Sequence, residues 1–585
     1  MSYFKKGGIM LKKILAGACA ASMVFTSIPV YAQETTASQP NEEFTNYLEK
    51  EFKETLESSY TTLHSYVTNP ESYNLSTDQI EVSLGDFEDT DEDRQEVKDE
   101  LKELKSFDRN TLDETQQNIY DEYLFSLKTS EELSKEKYQY LANIWSSTSN
   151  VAYDLSNYFA NFEAYSEYDV QSFITLLKDT KRFTKAAIKH SKKQAENETL
   201  CFNYKEVMKT VNEVIKNKDN NEIYNNISNE IDDLGLDETT AQNYKDQIQT
   251  ALNEVYFPSF TYLKKELKKL KDDNLSARPV TSFKNGKKYY SLLIRNQAST
   301  SKKPKKILEE LYDGYSDAYD RIESSDVDTD ITTSFTSADE IMSFLVENYT
   351  NNMPEITIPN YDVQSLPTEQ TSDSIVAYYV VPSIDGNETN RIRYNSESVS
   401  KDANTIDTYI TFAHEGIPGH MYQTNYFHAN NTYHIQSLFD ETAYTEGFAE
   451  FSEVQALEYL PNVTSEQARV IMENNDFLSY SVMSILDLNI NLNSLSEEEF
   501  VEQFKDSYTE SALKELYKDA CYDPASALPY CYGYLRLSNM QENAKEKLGD
   551  AYDNKAFVTT LLNCGEVNLD ILDKRMDIYI NQVQA

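Results

Sequence analysis

Apolar residues recur with helical spacing from about residue 41 to residue 278, and this pattern favours a mainly α-helical fold over the other fold classes. Stretches such as EEFTNYLEKEFKETLESSYTTLHSYV place apolar side chains at positions i, i+3, i+4 and i+7. Each helix with that spacing has one apolar stripe that must be buried against a neighbour. We therefore predict a mainly α-helical protein in which residues 33–278 form an N-terminal helical lobe.

The second half of the chain mixes helical patterns with two β-like patterns. In FKNGKKYYSLLIRNQAST, residues 283–300, a turn-forming Asn-Gly precedes a β-prone run. Further on, Ile375–Val381 and Arg391–Asn395 are predicted to form two paired strands, with a turn at residues 385–387. We expect a small accessory β-sheet in a second lobe, residues 279–585, and a deep cleft between the two lobes. An exposed strand edge can hold an extended peptide by main-chain hydrogen bonds.

The N-terminus has the pattern of a secretory signal peptide. Lys12 and Lys13 precede an apolar run that ends in small residues at Ala32, which predicts a signal peptide over residues 1–32 and a secreted protein. Cys19 in AGAC leaves a cell-surface lipoprotein as the alternative. No later apolar run is long enough for a membrane span, which needs about 20 residues.

Charge and cysteine content narrow the classes of partner and scaffold. The chain has 54 Lys+Arg against 98 Asp+Glu, a formal net charge of -44, which disfavours nucleic acid as a partner. Beyond the signal peptide only four cysteines occur, too few to form the main scaffold of so long a chain. Cys521 could pair with Cys531 or with Cys564.

The stretch HEGIPGH, residues 414–420, carries the residue types of a hydrolytic metal site. Such a site needs ligands and a carboxylate that can take a proton from water, and His414 with Glu415 supplies one of each. His420 stands at i+6, where a straight helix would turn it about a third of a turn away. Pro418 and Gly419 permit a break or bulge that would return His420 to the side of His414.

A second acidic stretch could supply the third ligand. In TEGFAEFSE, Glu446, Glu450 and Glu453 share one face of a predicted helix. Stacked carboxylates repel one another unless a cation neutralises them, so a metal would explain the pattern. A solvated acidic helix face is the alternative in so acidic a chain.

Four stretches, in order, resemble the bacterial domain-of-unknown-function 885 family. The resemblance covers roughly residues 280–580, and the four are NGKKYYSLLIRNQAST, HEGIPGH, TEGFAEFSE, and SALPYCYGYLRL together with KEKLGDAYDNKAFVTTLLNCGEVNLDIL. That family is similar to gluzincin-type zinc metallopeptidases. The resemblance therefore implies a peptidase-like fold whose second lobe is catalytic, with one Zn²⁺ per chain.

The resemblance also implies roles for individual residues. His414, His420 and Glu446 would bind the metal, and Glu415 would be the general base. Glu450 and Glu453 would orient the histidines from behind, and Tyr530 would donate to the oxyanion. Two departures from the family's pattern, Met421 and Phe448, affect no proposed ligand but leave fine specificity open.

Several other residues are candidates for binding substrate. A guanidinium matches a peptide carboxylate bidentately, which makes Arg391, Arg393 and Arg536 candidates. His428 and His434 are the reserve ligands if His420 does not bind metal, with His434 preferred, and either could instead contact substrate.

Taken together, the sequence predicts a secreted zinc peptidase that hydrolyses small or extended peptides with zinc-activated water and a glutamate base. A secreted peptide-binding protein without catalysis, or a zinc hydrolase of non-peptide amides or esters, is the alternative. Cleavage position, side-chain preference and oligomeric state are left open.

Overall fold

The computed structural model describes residues 40–77, 79–146, 150–219, 222–271, 277–366, 377–386, 389–396, 399 and 402–585. The predicted signal peptide lies outside these residues. So do Ile375, Val376 and Asn387 of the predicted strand pair.

Helices dominate the first half of the chain, as the repeat predicts. Most begin at a side-chain cap, such as Asn41 accepting from the Phe44 amide at 3.0 Å. The helices are α1 (Glu42–Glu57), α2 (Tyr60–Tyr66), α3 (Asp91–Leu104), α4 (Glu114–Leu133), α5 (Val151–Ala160), α6 (Glu167–Glu196), α7 (Tyr204–Lys216), α8 (Glu222–Asp233), α9 (Glu238–Ala251) and α10 (Phe257–Leu270). A π-helical turn, Leu252–Tyr256, joins α9 to α10.

The second half is also mainly helical. Its helices are α11 (Gly286–Gln297), α12 (Pro304–Ser324), α13 (Ala338–Asn348), α14 (Ile406–Glu415), α15 (His420–Asn430), α16 (Thr442–Leu457), α17 (Ser465–Met472), α18 (Leu478–Asn493), α19 (Glu497–Phe504), α20 (Glu510–Tyr522), α21 (Leu528–Leu548), α22 (Asn554–Leu562) and α23 (Leu569–Gln584). A π-helical turn, Glu473–Phe477, joins α17 to α18. Short 3₁₀ turns lie at Pro70–Tyr73, Arg109–Thr111, Glu136–Tyr138, Asn217–Asp219, Val280–Ser282, Tyr349–Asn351, His434–Leu438 and Gly549–Ala551.

A three-stranded sheet precedes α14. The structure is therefore mainly α-helical with a small accessory sheet, as the sequence predicts. The strands are β1 (Tyr361–Ser365), β2 (Ala377–Val380) and β3 (Asn390–Tyr394), in the order β1-β3-β2. β2 and β3 pair antiparallel, which confirms the predicted strand pair within the described residues. β1 pairs parallel with β3 and was not predicted.

The β-like interpretation of residues 283–300 is wrong, because most of that stretch forms helix α11. Tyr290 and Ile294, one helical turn apart, are fully buried in the main core. The Tyr290 hydroxyl also donates to the buried carboxylate of Asp487. Burial along one helical face therefore overrides the local β preference of these residues.

The pairing of Cys521 with Cys531 or Cys564, which the sequence leaves open, is not formed, because the four described cysteines are all free and buried. The Cys531 thiol contacts the Ser484 hydroxyl at 3.2 Å. The Cys564 thiol contacts the Thr560 carbonyl at 3.3 Å. Cys521 instead lies near Cys201, whose sulfur is 3.8 Å from the Cys521 carbonyl oxygen.

The helices around the acidic stretch pack unusually closely. A Cβ atom on Gly533 of α21 would lie 1.9 Å from the carbonyl oxygen of Ala443 on α16, and one on Gly447 would lie 2.3 Å from the Gly533 carbonyl carbon. Only glycine allows two helix backbones to approach in this way. The crossing therefore fixes α21 directly against the helix that carries Glu446.

Across the described part of the chain, no helix combines the length and the apolar character that crossing a membrane requires.

Candidate metal centre

The helix that carries His414 breaks immediately after Glu415, where the sequence predicts a break or bulge. α14 ends at Glu415 and α15 begins at His420, and between them the Gly419 amide donates to the Ala413 carbonyl at 2.9 Å. A Cβ atom on Gly419 would lie 1.9 Å from the His414 carbonyl oxygen, so the turn requires glycine there.

The break brings the two histidines together. The ring centroids of His414 and His420 are 4.7 Å apart, with the ring planes at 89°. Both side chains are mostly buried, 12% and 14% exposed. Six residues of separation along the chain thus become a pair of neighbouring imidazoles.

Glu446 reaches the same point from α16. Its Oε2 atom lies 3.4 Å from Nε2 of His414 and 3.4 Å from Nε2 of His420. That oxygen is buried and has no hydrogen-bond partner among the described residues. Burial alone would raise the pKa of Glu446, but the two imidazoles lower it well below its usual value.

The three side chains fit a Zn²⁺ ion. Oε2 of Glu446 lies 3.4 Å from Nε2 of each histidine, which matches the separation of about 3.3–3.6 Å between two ligands of a tetrahedral zinc with bonds of about 2.0–2.2 Å. Two imidazoles and one carboxylate are a donor set that zinc uses in hydrolytic sites, with a further position left for water. The unpartnered Glu446 oxygen is the buried acceptor that such an ion would satisfy.

Glu453 holds His414 from the opposite side of the ring. Its Oε1 lies 2.9 Å from Nδ1 of His414, which leaves Nε2 directed toward Glu446 and His420. A carboxylate on the far nitrogen fixes the tautomer and orientation of a metal-binding imidazole.

Glu415 is buried beside the imidazoles and is anchored by the sheet. Its Oε2 accepts a hydrogen bond of 2.9 Å from the backbone amide of Tyr379 on β2. Burial raises the pKa of Glu415 above its usual value. A base with a raised pKa accepts a proton more readily near neutral pH.

Tyr530 lies across the site on α21. Its ring centroid is 6.4 Å from that of His414, and the ring stacks on Tyr480 at 4.8 Å. Burial and then the nearby Glu446 carboxylate raise the pKa of Tyr530, so the hydroxyl keeps its proton. The structure thus groups His414, Glu415, His420, Glu446, Glu453 and Tyr530 in one place.

Glu450 lies in the same region but makes no hydrogen bond to an imidazole. It is 2% exposed, and its Oε2 has no partner among the described residues. Of the two carboxylates expected to orient the histidines, only Glu453 has the contact that such a role needs.

The candidate arginines are engaged in ion pairs. Arg391 pairs with Glu163 of the N-terminal half at 2.7 Å, and Arg393 pairs with Asp362 at 3.3 Å. Arg536 is 5% exposed and pairs with Asp573, so it is committed to the packing of α21 on α23.

The reserve histidine is also placed elsewhere. Nδ1 of His434 lies 3.0 Å from Glu49 of α1, and its ring packs between Phe52 and Tyr73. The sequence gives no signal for this contact between the halves. Tyr379 falls within a predicted strand, but the sequence does not predict that its amide contacts Glu415.

A cavity of about 1060 Å³ is lined by both halves of the chain, by chain neighbours of the site rather than by the proposed metal ligands themselves. The N-terminal half contributes side chains such as Ser65 and Asp154. The second half contributes Thr445, next to Glu446, and Val381, which follows β2. His428 also lines the cavity, and burial lowers its pKa to about 4, so it is neutral near pH 7.

Two solved structures share this fold at low sequence identity. One, described as "the putative lipoprotein from Colwellia psychrerythraea", has a TM-score of 0.73 and 16% identity over 92% of this chain and 99% of that chain. The other, "a putative lipoprotein of unknown function from Shewanella oneidensis", has a TM-score of 0.57 and 16% identity, over 92% and 99% of the two chains. A comparison with curated proteins finds no match.

A family model covers most of the chain in two consecutive segments. The model of DUF885, "Bacterial protein of unknown function", matches residues 78–325 and 321–576. These segments include the histidines, the acidic stretch and Tyr530. The chain therefore belongs to the DUF885 family of bacterial proteins.

Proposed function

We propose that this protein is a zinc-dependent peptidase. The observation that carries the proposal is the convergence of His414, His420 and Glu446 beside a buried Glu415. A protein that only binds peptides has no need of a base next to a ligand set.

The chain's own residues have distinct tasks in this chemistry. Bound Zn²⁺ would supply Lewis acidity toward water and the peptide carbonyl. Glu415 accepts the proton of the attacking water and passes it to the leaving amine. Tyr530 donates its proton in a hydrogen bond to the oxyanion that develops on the carbonyl.

The substrate class follows from the cavity. Its volume of about 1060 Å³ slightly exceeds the usual range for ligand sites, about 300–1,000 Å³, so it suits a short or extended peptide better than a folded domain. Val381 is 64% exposed and lines the cavity directly after β2. β2 is an edge strand whose Tyr379 amide already contacts Glu415, so an extended peptide entering along this edge would reach the site.

Replacement of the base tests the proposal. In Glu415→Gln the site keeps its ligands but loses the proton acceptor, so hydrolysis of a mixed peptide library falls by about 10²–10⁴-fold while zinc content is unchanged. Glu347→Gln, at an exposed position on α13, serves as the control and keeps full activity.

Three other results would contradict the proposal or favour an alternative function. Unchanged hydrolysis in Glu415→Gln contradicts the assigned base. Zinc binding with cleavage of acylated amides or esters but of no peptide favours a non-peptide hydrolase. Peptide binding without turnover in the zinc-loaded wild type favours a binding protein.

We propose that the protein acts outside the cytoplasm. The basic and apolar pattern of residues 12–32 supports export, and both similar solved structures are described as putative lipoproteins. The mass of the mature N-terminus decides the form: a free chain from Gln33 indicates secretion, and a lipid on Cys19 indicates a surface lipoprotein.

A further inference from the structure

A second group of acidic side chains lies behind the proposed zinc site. Glu450 and Glu453 come from α16, and Asp476 comes from the π-helical turn between α17 and α18. We refer to these three residues as the rear carboxylate cluster. Glu450 is 2% exposed and Glu453 is 3% exposed.

Each member of the rear carboxylate cluster has a buried oxygen without a partner. Oε2 of Glu450, Oε2 of Glu453 and Oδ2 of Asp476 accept no hydrogen bond from any described residue. Glu453 uses only its other oxygen, Oε1, to hold His414. In the described part of the chain, no lysine or arginine forms an ion pair with any of the three.

The three carboxylates act on one another electrostatically. Glu450 interacts with both Glu453 and Asp476, and Asp476 interacts with Glu453. Several like charges in a water-poor region cost much free energy unless a cation or additional hydrogen bonds compensate them. A zinc ion held by His414, His420 and Glu446 would not satisfy these oxygens directly, because Glu450 and Asp476 are not among its ligands.

We propose that the rear carboxylate cluster binds a second divalent cation. Glu450, Glu453 and His414 each place one ligand atom within 4.8 Å of the others. Because Nδ1 of His414 is engaged by Glu453 and its Nε2 faces the zinc site, Glu450 and Glu453 are the members of this group that are free to bind the cation. The unpartnered donors are all carboxylate oxygens, which suit hard cations such as Mg²⁺, Ca²⁺ or Mn²⁺ rather than a second zinc.

The cation would act on the zinc site through Glu453. With Oε2 of Glu453 bound to the cation and Oε1 accepting from His414, the carboxylate is held at both ends. Glu450 and Asp476 are then positioning residues that support the orientation of His414. This role does not depend on what the protein hydrolyses, or on whether it hydrolyses anything.

Metal binding by the whole mature chain tests the inference. Chelator-treated protein is loaded with one equivalent of Zn²⁺ and titrated with Mn²⁺, with bound Mn²⁺ followed by electron paramagnetic resonance. We expect one Mn²⁺ per chain beyond the zinc. Glu450→Gln and Asp476→Asn should each weaken Mn²⁺ binding at least tenfold while zinc content is unchanged. Glu458→Gln, at the end of the same helix, is the matched control and should bind Mn²⁺ like the wild type.

The amide variants have nearly the same shape as the carboxylates, and thermal unfolding of each variant checks that it is folded. Folded wild-type protein that binds no Mn²⁺ would overturn the inference and leave a shared proton as the compensation. Mn²⁺ binding that survives both substitutions would also overturn it, because the ion would then lie elsewhere.

Discussion

Glu566 shows how a single buried carboxyl group near the site links stability to pH. Its Oε1 accepts from the Glu441 amide at 2.8 Å and from the Thr445 hydroxyl at 3.1 Å. Burial, and then the neighbouring Asp440, raises the pKa of Glu566 from an ordinary 4.5 to about 8. The folded protein therefore keeps a proton over this range that the unfolded chain has lost.

The sign of the pH effect follows from this proton. Where the folded state binds more protons than the unfolded state, the free energy of unfolding falls as pH rises, here from about 4.5 to about 8. Glu566→Gln keeps an oxygen acceptor and cannot ionise. We predict that it reduces the loss of stability between about pH 5 and about pH 8 by a few kcal/mol, at about 1.4 kcal/mol per unit of pKa shift.

Chemical denaturation of the wild type and Glu566→Gln at both pH values measures this effect. Glu347→Gln is the control, since that side chain is exposed on α13. Parallel pH curves for Glu566→Gln and the wild type would show that Glu566 is ionised in the folded protein.

Single residues also show how far the sequence leads. The sequence allows the prediction that His420 lies beside His414, because Pro418 and Gly419 permit the helix break that the structure contains. Asp476 could not be found in this way. It belongs to no motif and reaches the region of Glu450 only because its π-helical turn and α18 pack against α21, which in turn packs against α16.

At the scale of elements, the crossing of α16 and α21 sets the position of Tyr530 relative to Glu446. The crossing point is Gly447 against Gly533, where either Cβ atom would collide with backbone. Glu446 precedes one glycine and Tyr530 lies three residues before the other.

We predict that Gly533→Ala lowers the free energy of unfolding by about 1–3 kcal/mol or more and reduces turnover, because the helices must separate and Tyr530 moves with α21. Gly314→Ala is the control, since the atoms nearest to its Cβ would belong to the side chain of Leu535 and not to backbone. Thermal or denaturant unfolding and peptide hydrolysis of both variants measure the difference. Equal effects of the two substitutions on stability and turnover would contradict the prediction that close packing at Gly447 and Gly533 positions Tyr530.

At the element scale, both differences between prediction and structure arise from contacts between residues that are distant along the chain. The local preference of residues 283–300 predicts β structure, whereas burial of Tyr290 and Ile294 makes most of the stretch helical. β1 was missed because it pairs in parallel with β3, about 30 residues away along the chain. Such pairings carry no local turn signal, unlike the antiparallel pair of β2 and β3.

At the scale of the whole molecule, the cavity lies between two halves that the sequence describes separately. Its walls come from residues as distant as Thr61 and Glu566. The helical content was predictable from the repeat, but the contact of His434 with Glu49 spans 385 positions and has no sequence signal.

The size of the cavity leads to a prediction about folded and unfolded protein substrates. Under the proposed function, we expect an unfolded or pre-digested protein to be cleaved at least tenfold faster than the same protein in its folded state, because a cavity of this volume suits an extended segment better than a folded domain. Mass spectrometry of products from a disulfide-bonded substrate, before and after reduction, measures the ratio. Equal cleavage of both forms would contradict access through this cavity.

The central claim is that the broken helix places His414 and His420 on one zinc ion. X-ray absorption spectroscopy of the zinc-loaded protein counts imidazole ligands directly. The account predicts two imidazoles per zinc in the wild type and in His428→Ala, whose histidine lies on the same helix but lines the cavity. It predicts loss of zinc, or one imidazole, in His420→Ala. Two imidazoles retained in His420→Ala, or none in the wild type, would contradict it.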